Sequence, residues 1–216
     1  MGLAIVQEIK KAHWDNQCQN FMLYGPLGYG KTSYAIQILM EIYKTKDVEI
    51  LKKYFAFTPL EFLNMIRAFD KQVPAVVWDD AGVWLYYMDY AHPVVKQLGK
   101  MLQMIRTRTA SIIFTTPMPT LILGKLRNFP QTLTVKIRKL SGNKYQRHLR
   151  RATAYQTWLF PDLQKSRVKK RFIDDFSVML PEEIYSWLCE KREIYVKMLE
   201  LEVEKCLPQS MRIDVV

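Results

Sequence analysis

The run Gly25-Pro-Leu-Gly-Tyr-Gly-Lys-Thr32 constrains this chain more than any other stretch, because it has the form G-x-x-x-x-G-K-[ST] that wraps a phosphate. Its surroundings agree with the spelling. Phe21–Tyr24 is a short apolar run that reads as a strand, and residues 33–43 read as a helix with Tyr34, Ile38 and Ile42 on one face. Glycines let the backbone curl so that successive N–H groups point at one anion, and the helix N-terminus adds its positive end. The expected nucleotide contacts are therefore Gly25, Gly28, Tyr29, Gly30, Lys31, Thr32 and Ser33. Lys31 is expected to reach the β- and γ-phosphate oxygens, and the Thr32 hydroxyl to ligate Mg²⁺. The plainer alternative is a glycine turn before a helix that binds nothing.

Two further strands fit the same plan. Ala75-Val-Val-Trp-Asp-Asp80 places two acids at the C-terminal end of a buried apolar run, where open parallel sheets bind their ligands. Asp79 is expected to hold Mg²⁺ through water, and Asp80 to orient or deprotonate an attacking water. Residues 111–116, Ser-Ile-Ile-Phe-Thr-Thr, end in two hydroxyls and stop at Pro117. Either Thr115 or Thr116 could contact a γ-phosphate or the water, or both could simply end a strand.

Between these strands the pattern alternates as in an α/β protein. An amphipathic N-terminal helix carries Ile5 and Ile9. A strand is expected over 53–58, running into a helix through the capping box Thr58-Pro-Leu-Glu61. A helix is expected over about 93–106, a short one over 118–126, and an alternating strand over 132–137. With 49% hydrophobic residues, disorder is not the default. No apolar run approaches the length of a membrane span, and the N-terminus does not read as a secretory signal. Three widely spaced cysteines argue for a reducing, cytoplasmic setting and against a disulfide framework or zinc site.

The tail differs in charge. Between Lys125 and Arg171 lie 14 Lys or Arg against the single acid Asp162, so the net +11 of the chain arises in that tract. Leu140–Asn143 is a turn signal inside it, so a hairpin is expected over about 132–157. Pro161 then interrupts the chain, and a helix is expected from Leu180 to about Lys205, ahead of Pro208. Basic residues interleaved with Tyr145, Tyr155, Trp158 and Phe160 suit a nucleic-acid backbone, DNA first, through Lys136, Arg138, Lys139, Lys144, Arg147, Arg150 and Arg151. A solvated charged hairpin, or one docking on an acidic protein, is the alternative.

Taken in order, GPLGYGKT, the YFAFT stretch before a capped helix, VVWDD and IIFTT resemble the AAA+ ATPases. The likeness is to the replication-initiator and helicase-loader branch, which also bears paired Asp-Asp, and to compact ATPases of archaeal viruses and plasmids. It covers residues 1–138, with 139–216 left as a basic hairpin and C-terminal helical extension. The resemblance implies an α/β P-loop NTPase with a five-stranded parallel sheet in the order 5-1-4-3-2. It also implies ATP with Mg²⁺ as ligands, and a homo-oligomeric ring or filament. Carried over by position, Lys31 and Thr32 match the first motif, Asp79 and Asp80 the second, and Thr116 or Thr115 the polar sensor. Arg127 falls where an arginine reaches the neighbouring subunit's γ-phosphate; a surface arginine is the other reading. The small helical lid of the family has no counterpart in the sequence. A viral packaging or secretion motor is a competing reading, but those motors usually end this strand in glutamine. An ATP-gated adaptor without turnover is another.

Overall fold

Short apolar runs build the centre of the sheet, and local stop signals set their lengths. The computed structural model describes residues 2–129, 132–140, 147–160 and 165–206. Lys144, Tyr145, the turn at 141–143, Pro161 and Pro208, all singled out above, lie outside the described residues. Two compact units result, Met1–Met179 and Leu180–Val216. The described strands of the basic hairpin belong to the first unit.

In the first unit, helix α1 (Ala4–Trp14) precedes strand β1 (Asn20–Tyr24) and helix α2 (Lys31–Tyr43). A short α3 (Val48–Lys52) leads to β2 (Phe55–Ala56), shorter than the expected 53–58. Helix α4 (Pro59–Arg67) starts where the capping box placed it: the Thr58 hydroxyl accepts from Glu61 N–H at 3.1 Å. The Glu61 carboxylate accepts in turn from Phe57 N–H at 3.0 Å. Then follow β3 (Val76–Trp78), α5 (Ala81–Trp84), α6 (Pro93–Met104), β4 (Ile112–Thr116) and α7 (Gly124–Arg127). The unit closes with β5 (Thr132–Lys139), β6 (Leu149–Phe160) and β7 (Lys165–Ser177).

Among the described residues these strands form one seven-stranded sheet in the order β2-β3-β4-β1-β5-β6-β7. The pairs β2–β3, β3–β4, β4–β1 and β1–β5 are parallel, while β6 and β7 add antiparallel. The expected five-stranded sheet thus falls short by two. The hairpin strand β6 pairs with β5 from Leu133↔Gln156 to Lys139↔Arg150 and extends the sheet. Strand β7 was not expected at all.

Alternation along each strand gives the sheet two faces. On one, Met22, Val76, Trp78, Ile112 and Phe114 join Phe62, Met65 and Ile66 of α4, Leu98 and Leu102 of α6, and Leu126 of α7. Trp78 is its largest wholly buried side chain; it stacks on Phe62 with ring centroids 4.4 Å apart and donates Nε1–H to the Phe57 carbonyl. On the other, Phe21, Leu23, Ile113, Leu133 and Val135 are buried on the side of α2, whose Tyr34 and Ile38 are wholly buried. Helix α1 packs on α2 and on β7. Among the described residues the second unit holds helix α8 (Glu182–Cys206), opened by Glu182 and Glu183, acids that suit a helix N-terminus.

Candidate nucleotide site

The phosphate loop leaves β1 and enters α2 through three positive-φ glycines, Gly25 (153°), Gly28 (73°) and Gly30 (84°). Gly30 is the left-handed residue at the N-cap of α2, so the loop delivers its backbone onto a helix N-terminus. Two of these glycines are also required by space. A Cβ on Gly25 would stand 2.6 Å from the Ile137 carbonyl oxygen, and one on Gly30 would stand 2.3 Å from Val178 Cγ1. The Lys31 ammonium is folded into the loop, donating to the carbonyls of Gly25 at 2.9 Å and Pro26 at 3.1 Å. Tyr29 is half-buried, with the ammonium of Lys139 5.0 Å from its ring centroid. Lys139, expected on nucleic acid, thus stands over the phosphate loop.

Thr32 and the acids meet behind the loop. The Thr32 hydroxyl donates to the Asp79 carboxylate, 2.9 Å from Oδ1 and 3.0 Å from Oδ2. The Thr115 hydroxyl donates to Asp79 Oδ1 at 2.6 Å and accepts from Asp80 N–H at 2.8 Å. Asp79 is wholly buried, so both hydroxyls replace water around it. Asp80 follows in the left-handed region at φ 48°, a conformation Asp tolerates better than most residues. Thr115 therefore sets the backbone of one acid and the carboxylate of the other.

Thr116, matched to the polar sensor by position, points elsewhere. Neighbouring residues of β4 face opposite sides, and the Thr116 hydroxyl donates to the Met118 carbonyl at 3.0 Å, beside Gly82. Of the two threonines, Thr115 is the one that the fold brings to Asp79 and Asp80. Ser33 lies half-buried in the first turn of α2. Arg127 ends α7 and lines a cavity with Tyr86, Tyr87 and α6, to which no phosphate-loop residue contributes.

The donor set fits Mg²⁺. A serine-type hydroxyl and a carboxylate 2.9–3.0 Å apart are hard oxygen ligands, and Mg²⁺ ordinarily takes one or two such groups with phosphate oxygens and water. Among the described residues no group of three His, Cys, Asp or Glu could hold a metal by itself.

The basic residues separate into roles that sequence could not assign. Arg150 is buried, donating to the carbonyls of Arg147 at 2.6 Å and Leu149 at 2.9 Å, so it does not present its charge outward. Arg151 grips Asp175 with two hydrogen bonds of 2.7 Å. That bond, first, and the guanidinium charge hold Asp175 below the usual carboxylate range. Lys136, Arg138 and Arg147 are exposed. The register sets Lys136 and Arg138 on the face carrying Tyr24, through Tyr24↔Lys136, and Tyr155, through Thr134↔Tyr155. Exposed Lys170 pairs with Tyr155. Burial, then the neighbouring Tyr155, push the Tyr24 phenol up, while Arg138 draws it down, so the three lie together. Tyr24 and Lys170 escaped the sequence reading because only register reveals their company.

No protein-family model matches the chain. A curated relative, "Uncharacterized protein B-251" of Sulfolobus spindle-shape virus 1, is 26% identical over 218 residues, spanning 96% of this chain and 86% of that one. Among solved structures, the N-terminal domain of zonular occludens toxin from Neisseria meningitidis matches at 13% identity and TM-score 0.41, over 79% of this chain and 98% of that one. The genome packaging NTPase B204 of Sulfolobus turreted icosahedral virus 2, in complex with ATP-gammaS, matches at 9% and TM-score 0.39, over 73% and 98%. The KaiC-like protein PH0186 of Pyrococcus horikoshii OT3 matches at 14% and TM-score 0.36, over 70% and 89%.

Proposed function

We propose that this chain binds ATP with Mg²⁺ and hydrolyses it, as a nucleic-acid-associated ATPase of the AAA+ replication-initiator and helicase-loader type. The observation that carries the reading is the chain of hydrogen bonds Thr32–Asp79–Thr115–Asp80, which ties the end of the phosphate loop to the two acids that follow β3 and to Thr115 of the adjacent strand β4. Loop N–H groups and the α2 N-terminus would take the β-phosphate, and Lys31 would turn from the Gly25 and Pro26 carbonyls to the β- and γ-oxygens. Mg²⁺ would be held by the Thr32 hydroxyl and, through water, by Asp79, and supplies charge to the β- and γ-phosphate oxygens. Asp80, its backbone fixed by Thr115, would orient the attacking water and accept its proton. Arg127, away from its own loop, suits a role across a subunit boundary in a homo-oligomer.

Turnover of ATP tests this. Asp80→Asn is expected to bind ATP as the parent does and to hydrolyse it at least a hundredfold more slowly, an estimate of about 3 kcal/mol for losing a general base. Mixing inactive Asp80→Asn chains with Arg127→Ala chains should restore part of the activity at shared interfaces. Full activity in Asp80→Asn removes it from catalysis, and no recovery at any ratio, with assembly intact, removes Arg127 from the neighbour's site.

The nucleic-acid surface in this reading is the face of β1, β5, β6 and β7 that carries Tyr24, Tyr155, Lys136, Arg138 and Lys170. Bases can stack on the phenol rings while the cations track phosphates. With Arg147, about four phosphates are within reach, which for a single strand gives log K against log salt a slope of roughly −3. Replacing Lys136, Arg138 and Lys170 together by Ala should bring the slope to about −1 and leave ATP turnover without nucleic acid intact. An unchanged slope assigns the face no role in binding.

A further inference from the structure

A second cavity, of about 930 Å³, opens between the Tyr86–Tyr90 segment, α6 and α7. Neither the phosphate loop nor Asp79 or Asp80 contributes to its wall. One side is aromatic: Tyr86, Tyr87 and Tyr90, the first two meeting edge to face with centroids 5.0 Å apart. Lys96 and Lys100 from α6 and Lys125 and Arg127 from α7 line the cavity too, and no acid does. Among the described residues none of these four cations is ion-paired. Val95 and Leu126 supply an apolar floor.

Two glycines in the wall point the same way. Gly99 sits in the middle of α6, where glycine costs roughly 1 kcal/mol relative to alanine. Close packing is not the reason, because a Cβ there would meet no atom within 4 Å. Gly124 opens α7, and a Cβ on it would meet only the tip of Arg127, at 4.0 Å. Glycine in open space on a cavity wall keeps the backbone accessible to something that is not the chain itself.

We propose that this cavity binds a nucleotide unit, a planar base bearing phosphate, at a site separate from the phosphate loop. The tyrosines offer rings for the base, and four cations without an acid fit its phosphate. The volume falls in the range of small-ligand sites, about 300–1,000 Å³. The unit could come as a free nucleotide or as an unpaired residue of a single strand, and the shared chemistry is the same.

The test uses the full chain carrying Lys31→Ala, which disables the phosphate loop, so that failure here is distinct from failure of the ATPase reading. Binding of etheno-AMP and of a fluorescent oligothymidylate is measured by polarisation, with and without Gly99→Leu or Lys96→Glu/Lys100→Glu. The expected result is a tenfold or greater loss for at least one probe in both variants, with Tm equal to or above that of the Lys31→Ala chain for Gly99→Leu. Loss for etheno-AMP assigns a free nucleotide; loss for the oligonucleotide alone assigns a strand. Unchanged binding of both probes in Gly99→Leu overturns the proposal. So does displacement of the probes by polyglutamate as readily as by unlabelled nucleotide, which would make the occupant an acidic peptide.

Discussion

Lys31→Ala is expected to weaken ATP binding by at least a hundredfold while leaving the fold in place. In the nucleotide complex the ammonium would be the one cation inside the loop, and truncating a desolvated, hydrogen-bonded charge costs about 3 kcal/mol or more, two decades in Kd. In the free chain the same ammonium donates to the Gly25 and Pro26 carbonyls, and Pro26 is exposed, so water can replace part of that service. Stability should therefore move far less than affinity. Calorimetric titration of both chains with Mg-ATP, beside their Tm values, separates the effects. Equal Kd values would show that the loop does not hold phosphate through Lys31 and would overturn the nucleotide reading at its base.

What could be read from the chain followed from how local each signal is. The phosphate loop, the N-cap at Thr58 and the acids after Trp78 are each made by neighbours in sequence, so spelling and context suffice. The choice between Thr115 and Thr116 is not local. It depends on which face of β4 meets Asp79, and the register Leu23↔Thr115 that fixes it is a tertiary fact. Strand β7 was illegible for a different reason. Its face beside Tyr155 is exposed and its sequence, KSRVKKRFIDDFS, is charged throughout, so it lacks the apolar alternation that marks a half-buried strand. Lysines on an edge strand also guard it against pairing with another chain. Charge, likewise, is visible in sequence while partners are not: Arg150 and Arg151 count toward the basic tract, yet one is buried on backbone carbonyls and the other is spent on Asp175.

Asp174→Ala is expected to be the most destabilising single polar substitution in the first unit. Asp174 is nearly buried on β7, yet its partners lie at the other end of the chain. Its carboxylate accepts from Ala4 N–H at 2.6 Å, from Ile5 N–H at 3.1 Å and from the Tyr34 hydroxyl at 2.6 Å. It thereby caps α1, whose N-cap Leu3 has no side chain able to do so. Burial, and then Asp174 itself, push Tyr34 well above the ordinary phenol range, so the hydroxyl keeps its proton and the bond persists across the working pH range. Alanine would leave three donors, two of them buried, without an acceptor, a loss of about 3 kcal/mol after partial access of water. At roughly 2–4 °C per kcal/mol for a chain of this size, Tm should fall by about 10 °C. Tyr34→Phe removes one donor and leaves two bonds intact, so its cost should be nearer 1 kcal/mol. The effect reaches the site as well. Phe176 lies against the Tyr34 ring at 4.5 Å, and Val178 crowds the Cβ position of Gly30, so β7 holds α2 at the phosphate loop. Asp174→Ala should accordingly raise Kd for Mg-ATP at temperatures well below its Tm, whereas Tyr34→Phe, with Phe176 still seated, should raise it less. A Tm within two degrees of the parent would show that the N-terminal helix is held by its apolar face alone, Ile5, Val6 and Ile9, and that this carboxylate is dispensable.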